Sequence, residues 1–277
     1  MSTSTAGRVT SPTTRTVRPA RNRSRRVYTR KQRWVFSIIN LTAFFTIWQV
    51  AAVTTDVPQL FLPALTDVFR ELREMHNEGI LWSNLVISLW IYVLGMVISI
   101  AIAVPAGLFI GGVRIVDKIL SPYIWAMYTT PRLILMPLIL LWVGINDTAR
   151  VVIIVLSAVP ATLVVVMEGV KTVDTSLLKA ARSFGAGRLR LFRSVVLPST
   201  VPFVATGIRM GVSRGLIGLF IGELFTGTNG IGYIITLASK TFNSARTFGM
   251  LLIFILFCVS MVGLSQMLER KVSVWRA

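Results

Sequence analysis

The sequence predicts an all-α integral membrane protein with six transmembrane helices, and three observations carry that prediction. Hydrophobic residues make up 54% of the 277 and the mean hydropathy is +0.71, far above a soluble globular chain. Uncharged stretches of 22 and 35 residues occur, each long enough to cross about 30 Å of hydrocarbon at about 1.5 Å per residue. The basic residues, 29 against 11 acids, gather in alternate connections, the pattern of loops that share one side of a bilayer.

Residues 1–33 hold ten of the 29 basic residues and no acid. Rich in Ser, Thr, Pro and Arg, they cannot bury enough apolar surface to order themselves, so a disordered basic cytoplasmic tail is expected, followed by a membrane domain over 34–277. The apolar run after the tail is too long, and lacks the small-residue cleavage pattern, for a removable signal. Binding to RNA or anionic lipid competes with a topology role for the tail; topology is the commoner cause of such a run, and no nucleic-acid partner is expected.

Trp34 to Thr55 is the first expected span. Beyond it Asp56, Asp67, Glu71, Glu74 and Glu78 stand against Arg70 and Arg73, while Leu65, Val68, Phe69, Leu72 and Met75 repeat at helical spacing. That pattern predicts an external amphipathic helix lying along the membrane or packed on the bundle. The second span is expected over about 84–111, with an interfacial lead-in and a kink at Pro105; Arg114 and Lys118 then mark a short inside loop over 112–118. Ile119 to Gly144 supplies a third span that Pro122, Pro131, Arg132 and Pro137 should break. Asn146, Asp147 and Arg150 predict an external turn before a fourth span at about 149–167. A basic loop follows over 168–196; the fifth span runs from Pro198 to about Gly222, a less apolar segment from Glu223 to Arg246 connects outside, and the sixth runs from Thr247 to Leu268. Six crossings put both termini and the loops 112–118 and 168–196 on one face, which the positive-inside rule assigns to the cytoplasm.

Few groups invite chemistry. Cys258 is the one cysteine and His76 the one histidine, so neither an intrachain disulfide nor a metal site is expected. There is no G-x-x-x-x-G-K-[ST] phosphate loop and no Ser/His/Asp pattern or pocketed carboxylate pair, which argues against ATP binding by this chain and against enzymatic activity. Gly207, Gly211 and Gly215, continuing through Gly218 and Gly222, form a ridge that lets another helix approach closely, within the subunit or between subunits. Arg209 lies eleven residues past Pro198, about 16 Å along a helix, near mid-membrane, where insertion costs about 2.5–3.5 kcal/mol. It is either a structural ion pair, with Glu223 or Glu168 as partner, or a cation lining an anion pathway. Arg214 lies about 140° around the same helix, so the two cannot face one cavity. Arg132 invites the same two readings, and Asn84, Thr129, Thr130 and Glu223 are further pathway candidates.

The basic loop carries the most specific signal. Leu177 to Pro198 reads LLKAARSFGAGRLRLFRSVVLP, with five basic residues and no acid. Asp174, Thr175 or Ser176 can cap a helix, Leu177, Leu178, Ala181 and Phe184 share its face, and Gly185 can end it. A second helix would set Leu189, Phe192 and Val195 against Arg188, Arg190 and Arg193, and Pro198 would start the next span. The spacing Lys179-Ala180-Ala181, three residues, Gly185, nine residues, Val195-Val196-Leu197-Pro198 resembles the EAA loop of permease subunits of bacterial ABC importers. Val195 stands for the usual Ile, and Lys179 for the usual Glu, a reversal of charge.

More of the chain is similar to the nitrate, sulfonate and taurine branch of that family: Pro131 to Gly144 as its broken third span, Leu62-Pro63 with Asp67, Gly207-Ile208-Arg209, Glu223-Leu224 and Gly230-Ile231-Gly232-Tyr233. The resemblance covers roughly 60–275 and implies the fold of a type I importer permease in a bacterial inner membrane, with Lys179, Ala180, Ala181, Gly185, Leu197 and Pro198 in a coupling loop over about 168–197. It also implies two ATP-binding subunits carrying ATP and magnesium, a second permease subunit that would make a homodimer, and an extracytoplasmic solute-binding protein. The expected substrate is a small anion such as a sulfonate, taurine or nitrate, moved by alternating access. A self-contained secondary transporter or channel is the alternative; it predicts internal repeats and a mid-membrane coupling-ion site, neither of which is evident.

Overall fold

A computed structural model describes residues 30–273, so the tail expected over 1–33 lies outside the described residues up to residue 29. The chain divides into two units between Thr46 and Ile47, inside the first helix. Every regular element among the described residues is helical.

Helix α1 (Arg30–Thr54) starts four residues before the expected span. Its first unit is apolar and exposed at Val35, Phe36, Ile38, Ile39 and Leu41, a surface suited to lipid. In the second unit, α1 organises the segment that follows it. The Trp48 indole donates to Pro63 O at 3.0 Å, and Gln49 Oε1 accepts from the Leu65 N–H at 2.7 Å, a donor at the start of α2 (Leu65–Asn77) that Ala64 cannot cap.

The amphipathic period of α2 has the expected consequence: Leu65, Val68 and Met75 are buried, and Leu72 and Val68 lie where a Cβ on Gly249 of α11 (Ser244–Ser273) would meet them. Polar groups fasten the same pair of helices. Arg246 Nε donates to Glu71 Oε2 at 2.9 Å and Asn243 Nδ2 to Glu71 Oε1 at 3.1 Å. Burial by itself would raise the Glu71 carboxyl; the hydrogen bonds from Asn243 and Arg246, with the charges of Arg246 and Arg70, outweigh it and hold the group below its ordinary value. A carboxyl depressed in the folded state contributes stability in full above its unfolded pKa, and that contribution is lost as pH falls through the lowered value. Thermal stability of the purified protein is therefore expected to fall on acidification below about pH 4.5, and Glu71→Gln should flatten that part of the profile; an unchanged profile would assign the acid limb to other carboxyls.

Helix α3 (Ile80–Gly112) absorbs the lead-in expected before its span, and the inside loop expected over 112–118 shrinks to Val113. Arg114 and Lys118 instead begin α4 (Arg114–Thr129), because one extended residue suffices for the reversal. The third span breaks at Pro131, while Pro122, expected to break it as well, lies inside α4. Thr130 and Pro131 are extended, as a residue before proline must avoid the helical region, and α4 meets the 3-10 turn at Arg132–Leu135 and α5 (Met136–Val143) at 91°. Helix α6 (Asp147–Lys171) is capped by Asn146, whose Oδ1 accepts from the Ala149 N–H at 3.0 Å. The capped helix takes in Arg150, expected in an external turn and found in the helix, fully buried.

The connection expected as separate helices is continuous at its far end. Helix α7 (Thr175–Ser183) turns at Gly185 into α8 (Arg188–Leu191), which passes through a π turn at Phe192–Val196 directly into α9 (Leu197–Thr226). Pro198 has no N–H for the ladder and the Leu197 N–H reaches back to Phe192 O, so the helix widens rather than ends. Arg188 to Thr226 is therefore one 39-residue rod, about 58 Å long. Helix α10 (Ile231–Lys240) fills the segment between α9 and α11 and buries Ile231, Ile234 and Ile235.

The core forms around α6, held between α3 and α9. Gly207, Gly211, Gly215, Gly218 and Gly222 of α9 turn inward, chiefly toward α6: a Cβ at Gly207 would stand 3.0 Å from Thr162 O, and one at Gly222 3.0 Å from Ile153 Cγ2. Five helices are long and apolar enough to cross a membrane, with the bent pair as a sixth if it counts as one span.

Candidate functional site

Three groups of residues stand out from the apolar framework, and the first is the loop between α6 and α9. Asp174 Oδ1 accepts from the Ser176 N–H at 2.7 Å and starts α7; that bond holds the exposed carboxyl below its ordinary value. At the other end Gly185 has φ +77°, and the Ala186 N–H returns to Ala181 O at 3.1 Å, closing the helix on its own carbonyls. A Cβ at Gly185 would meet nothing within 4 Å, so the position demands a backbone conformation rather than space.

What this loop does not do is bury itself. No residue of α7, α8 or the π turn is buried; Leu177 and Leu189 are exposed, and Phe184 is 90% exposed. Leu177, Ala181 and Phe184 share one face of α7 at helical spacing, beside Lys179, Arg182, Arg188, Arg190 and Arg193. Lys179, Ala180, Leu197 and Pro198 are also exposed. An unburied apolar strip within a basic field marks an interaction surface.

The second group closes the opposite end of α9. Glu223, fully buried, accepts from Ser88 Oγ at 2.5 Å and from the Gly232 N–H at 2.7 Å. Ser88 Oγ in turn accepts from the Ile231 N–H at 3.0 Å, and Asn84 Oδ1 from the Gly230 N–H at 2.7 Å. Three side chains thus meet the free donors at the start of α10, where the helix dipole also favours a carboxylate. Both Asn84 and Glu223 are committed to this end of α10. Beside them the buried Arg150 donates to Asn229 Oδ1 at 2.6 Å, to Asn229 O at 3.2 Å and to Thr228, and pairs with Asp147 at 3.2 Å.

The third group comprises the deep cations of α9 and the broken span. Arg209 Nε lies 2.7 Å from Glu269 Oε2 of α11, and Thr206 Oγ1 donates to Glu269 Oε1 at 2.8 Å. Its partner is therefore neither Glu223 nor Glu168; the latter pairs with Lys171, which also reaches Asp117 at 2.7 Å. Glu269 is 25 residues into α11, about 37 Å along it, so the Arg209 guanidinium is held by the basic C-terminal end of that helix.

Arg132 Nη1 donates to Tyr128 O at 3.0 Å, while Thr129 and Thr130 hydroxyls donate to Ala126 O at 3.1 and 2.7 Å, beside the Thr130 N–H that already bonds that carbonyl. Arg214, which the sequence raised only by contrast with Arg209, is exposed and stacks over the Tyr128 ring at 5.8 Å. No group of three or more His, Cys, Asp or Glu side chains capable of holding a metal occurs among the described residues.

Comparison with known proteins is consistent with this arrangement. The model of a family described as the binding-protein-dependent transport system inner membrane component matches residues 103–274, more than half of the chain. The taurine transport system permease protein TauC of Escherichia coli (strain K12) is 28% identical over 257 residues, covering 88% of this chain and 93% of that protein. The putative aliphatic sulfonates transport permease protein SsuC of Bacillus subtilis (strain 168) is 26% identical over 243 residues, 88% of each. Among solved structures, an inward-facing MetNI methionine ABC transporter chain superposes with a TM-score of 0.61 at 18% identity, over 70% of this chain and 96% of that one. A chain of an amino acid ABC transporter crystallised with histidines gives 0.56 at 20% identity, over 72% and 97%.

Proposed function

The chain belongs to the family of binding-protein-dependent transport system inner membrane components, and from that premise we propose that it is the membrane subunit through which an ABC importer passes a small organic or inorganic anion. The likeness to taurine and sulfonate permeases supports a sulfonate, taurine or nitrate as that anion. The chain itself is a conduit without enzymatic activity; ATP and magnesium bind two separate ATPase subunits, and an extracytoplasmic solute-binding protein delivers the substrate. A second copy of the chain completes the pathway. The basic face, with both termini and the α6–α9 connection, lies in the cytoplasm, where ATP is available.

The observation that carries this reading is the unburied α7–α8 loop and its continuity with α9. Its apolar strip and five basic residues suit a groove with acidic margins on an ATPase subunit; one of the five is Lys179, where the EAA motif it resembles has Glu. Displacement of α8 is carried along a 39-residue rod into the membrane, because no flexible joint separates the two. Transport by alternating access follows when ATP and the loaded binding protein prefer different conformations of the pair; ligands that bind both equally shift nothing.

Gly185→Val is expected to insert normally and to lose its ATPase partner, since a β-branched residue at φ +77° costs about 1–2 kcal/mol locally and misdirects α8. Co-purification with a co-expressed cognate ATPase subunit, with ATP hydrolysis assayed in membranes, tests both statements. Wild type should retain the partner and the variant should lose most of it. A wild-type chain that carries no ATPase would sink the importer reading; a variant that carries as much as wild type would sink the role of the turn.

A further inference from the structure

Charge inside the bundle is balanced almost everywhere. Arg209 has Glu269, Arg150 has Asp147 with Asn229 and Thr228, and Lys171 has Asp117 and Glu168. Two deep cations break that pattern, and they are neighbours. Arg214 is 12 residues from the Thr226 end of α9 and 17 from Leu197, about 18 and 25 Å by the helical rise, and forms no ion pair or hydrogen bond among the described residues. Arg132 reaches the same tyrosine from the broken span; one of its nitrogens, Nη2, is buried without a partner.

Both guanidinium groups are thus gathered on Tyr128, one through its carbonyl at 3.0 Å and one over its ring at 5.8 Å, and they repel each other. A tyrosine carbonyl and ring face neutralise neither charge. In an apolar span two adjacent cations without an acid are stable only beside water or beside an anion that comes and goes. Their setting supports the second: Arg214 lies on an exposed stripe of α9 with Met210 and Ile217, turned away from α11, where Arg209 is paired. Arg132 stands at the 91° break, where non-helical backbone at depth is tolerated if it lines a cavity.

We propose that Arg214 and Arg132, held together by Tyr128, form the station at which the transported anion is bound inside the membrane. Planar guanidinium forks match the paired oxygens of a sulfonate or nitrate better than a point charge does, so the class of ligand is a small oxyanion with at least two equivalent oxygens. The depth of Arg214 separates a transported solute from a lipid headgroup, which would contact residues at the helix ends. The station belongs to α9, the same rod that begins in the α7–α8 connection, so movement there changes the distance between Arg214 and Arg132.

This inference rests on the importer reading, and the test keeps the two apart. Uptake of radiolabelled taurine and of ethanesulfonate is measured in vesicles holding the complete importer, with saturating loaded binding protein and rates normalised to assembled complex. Arg214→Gln and Arg132→Gln are each expected to lower the maximal rate at least tenfold for both solutes. The loss should appear in the maximal rate because the binding protein sets the apparent KM. Arg214→Lys retains the charge but not the fork and should recover only part of the rate; it also decides the matter if the Gln variants fail to assemble. Variant rates within twofold of wild type, while wild type transports, would overturn the station and leave the importer intact. Wild-type complex that hydrolyses ATP yet moves neither sulfonate, nor nitrate in the same assay, would overturn both the anionic substrate and its station.

Discussion

Replacing Glu223 with Ala is expected to abolish recovery of folded protein, whereas Glu223→Gln should survive with a modest loss. The carboxylate is fully buried and accepts from Ser88 Oγ at 2.5 Å and the Gly232 N–H at 2.7 Å. Truncation leaves an amide donor and a hydroxyl without their acceptor and opens a cavity between α9 and α10. Each buried donor left without its acceptor costs about 1–3 kcal/mol and the cavity adds to that, together a large part of the net stability of a domain. Gln keeps an oxygen for Gly232 and occupies the same volume, and its amide faces Ser88 Oγ, which already accepts from Ile231; a loss of about 1 kcal/mol is expected. Yield of monodisperse protein in detergent and its thermal midpoint check this. Equal behaviour of Ala and Gln variants would mean that the carboxylate is not what holds α10.

Gly218→Leu is the second large effect, and it reports on the centre of the bundle. A Cβ there would stand 2.8 Å from Ser157 Oγ, 2.9 Å from Ile153 O and 2.9 Å from Ile154 Cα. Two of those atoms are α6 backbone, which cannot rotate aside, so the helices must separate. Overpacking of this type costs about 1–3 kcal/mol or more. Separation also breaks the contact beside it, where a Cβ on Gly222 would already press Arg150 Cα at 3.2 Å. Gly218→Ala should therefore lower the thermal midpoint and Gly218→Leu prevent assembly. The contrasting position is Gly263 of α11, where an added Cβ meets nothing within 4 Å and Gly263→Leu should be tolerated. A Gly218→Leu protein as stable as Gly263→Leu would refute the close approach of α6 and α9.

The division between chain and fold is clearest at three places. Hydrophobic length and proline position determined the apolar helices and the break near Pro131, because those are local: an uncharged run has no lower-energy state in lipid than a helix, and proline removes a donor wherever it stands. Glycine spacing likewise determined which face of α9 can be approached, and Asp174 and Gly185 bounded α7 through bonds to residues within five positions. Pairing between distant segments was decided only by the tertiary structure. Period and spacing set Arg209 and Arg214 on different sides of one helix, but their partners depended on α11 and α4 arriving beside them. Sixty residues separate Arg209 from Glu269, and 135 separate Glu223 from Ser88. No periodicity spans such intervals, so which cation is neutralised and which is left open follows from how the helices pack.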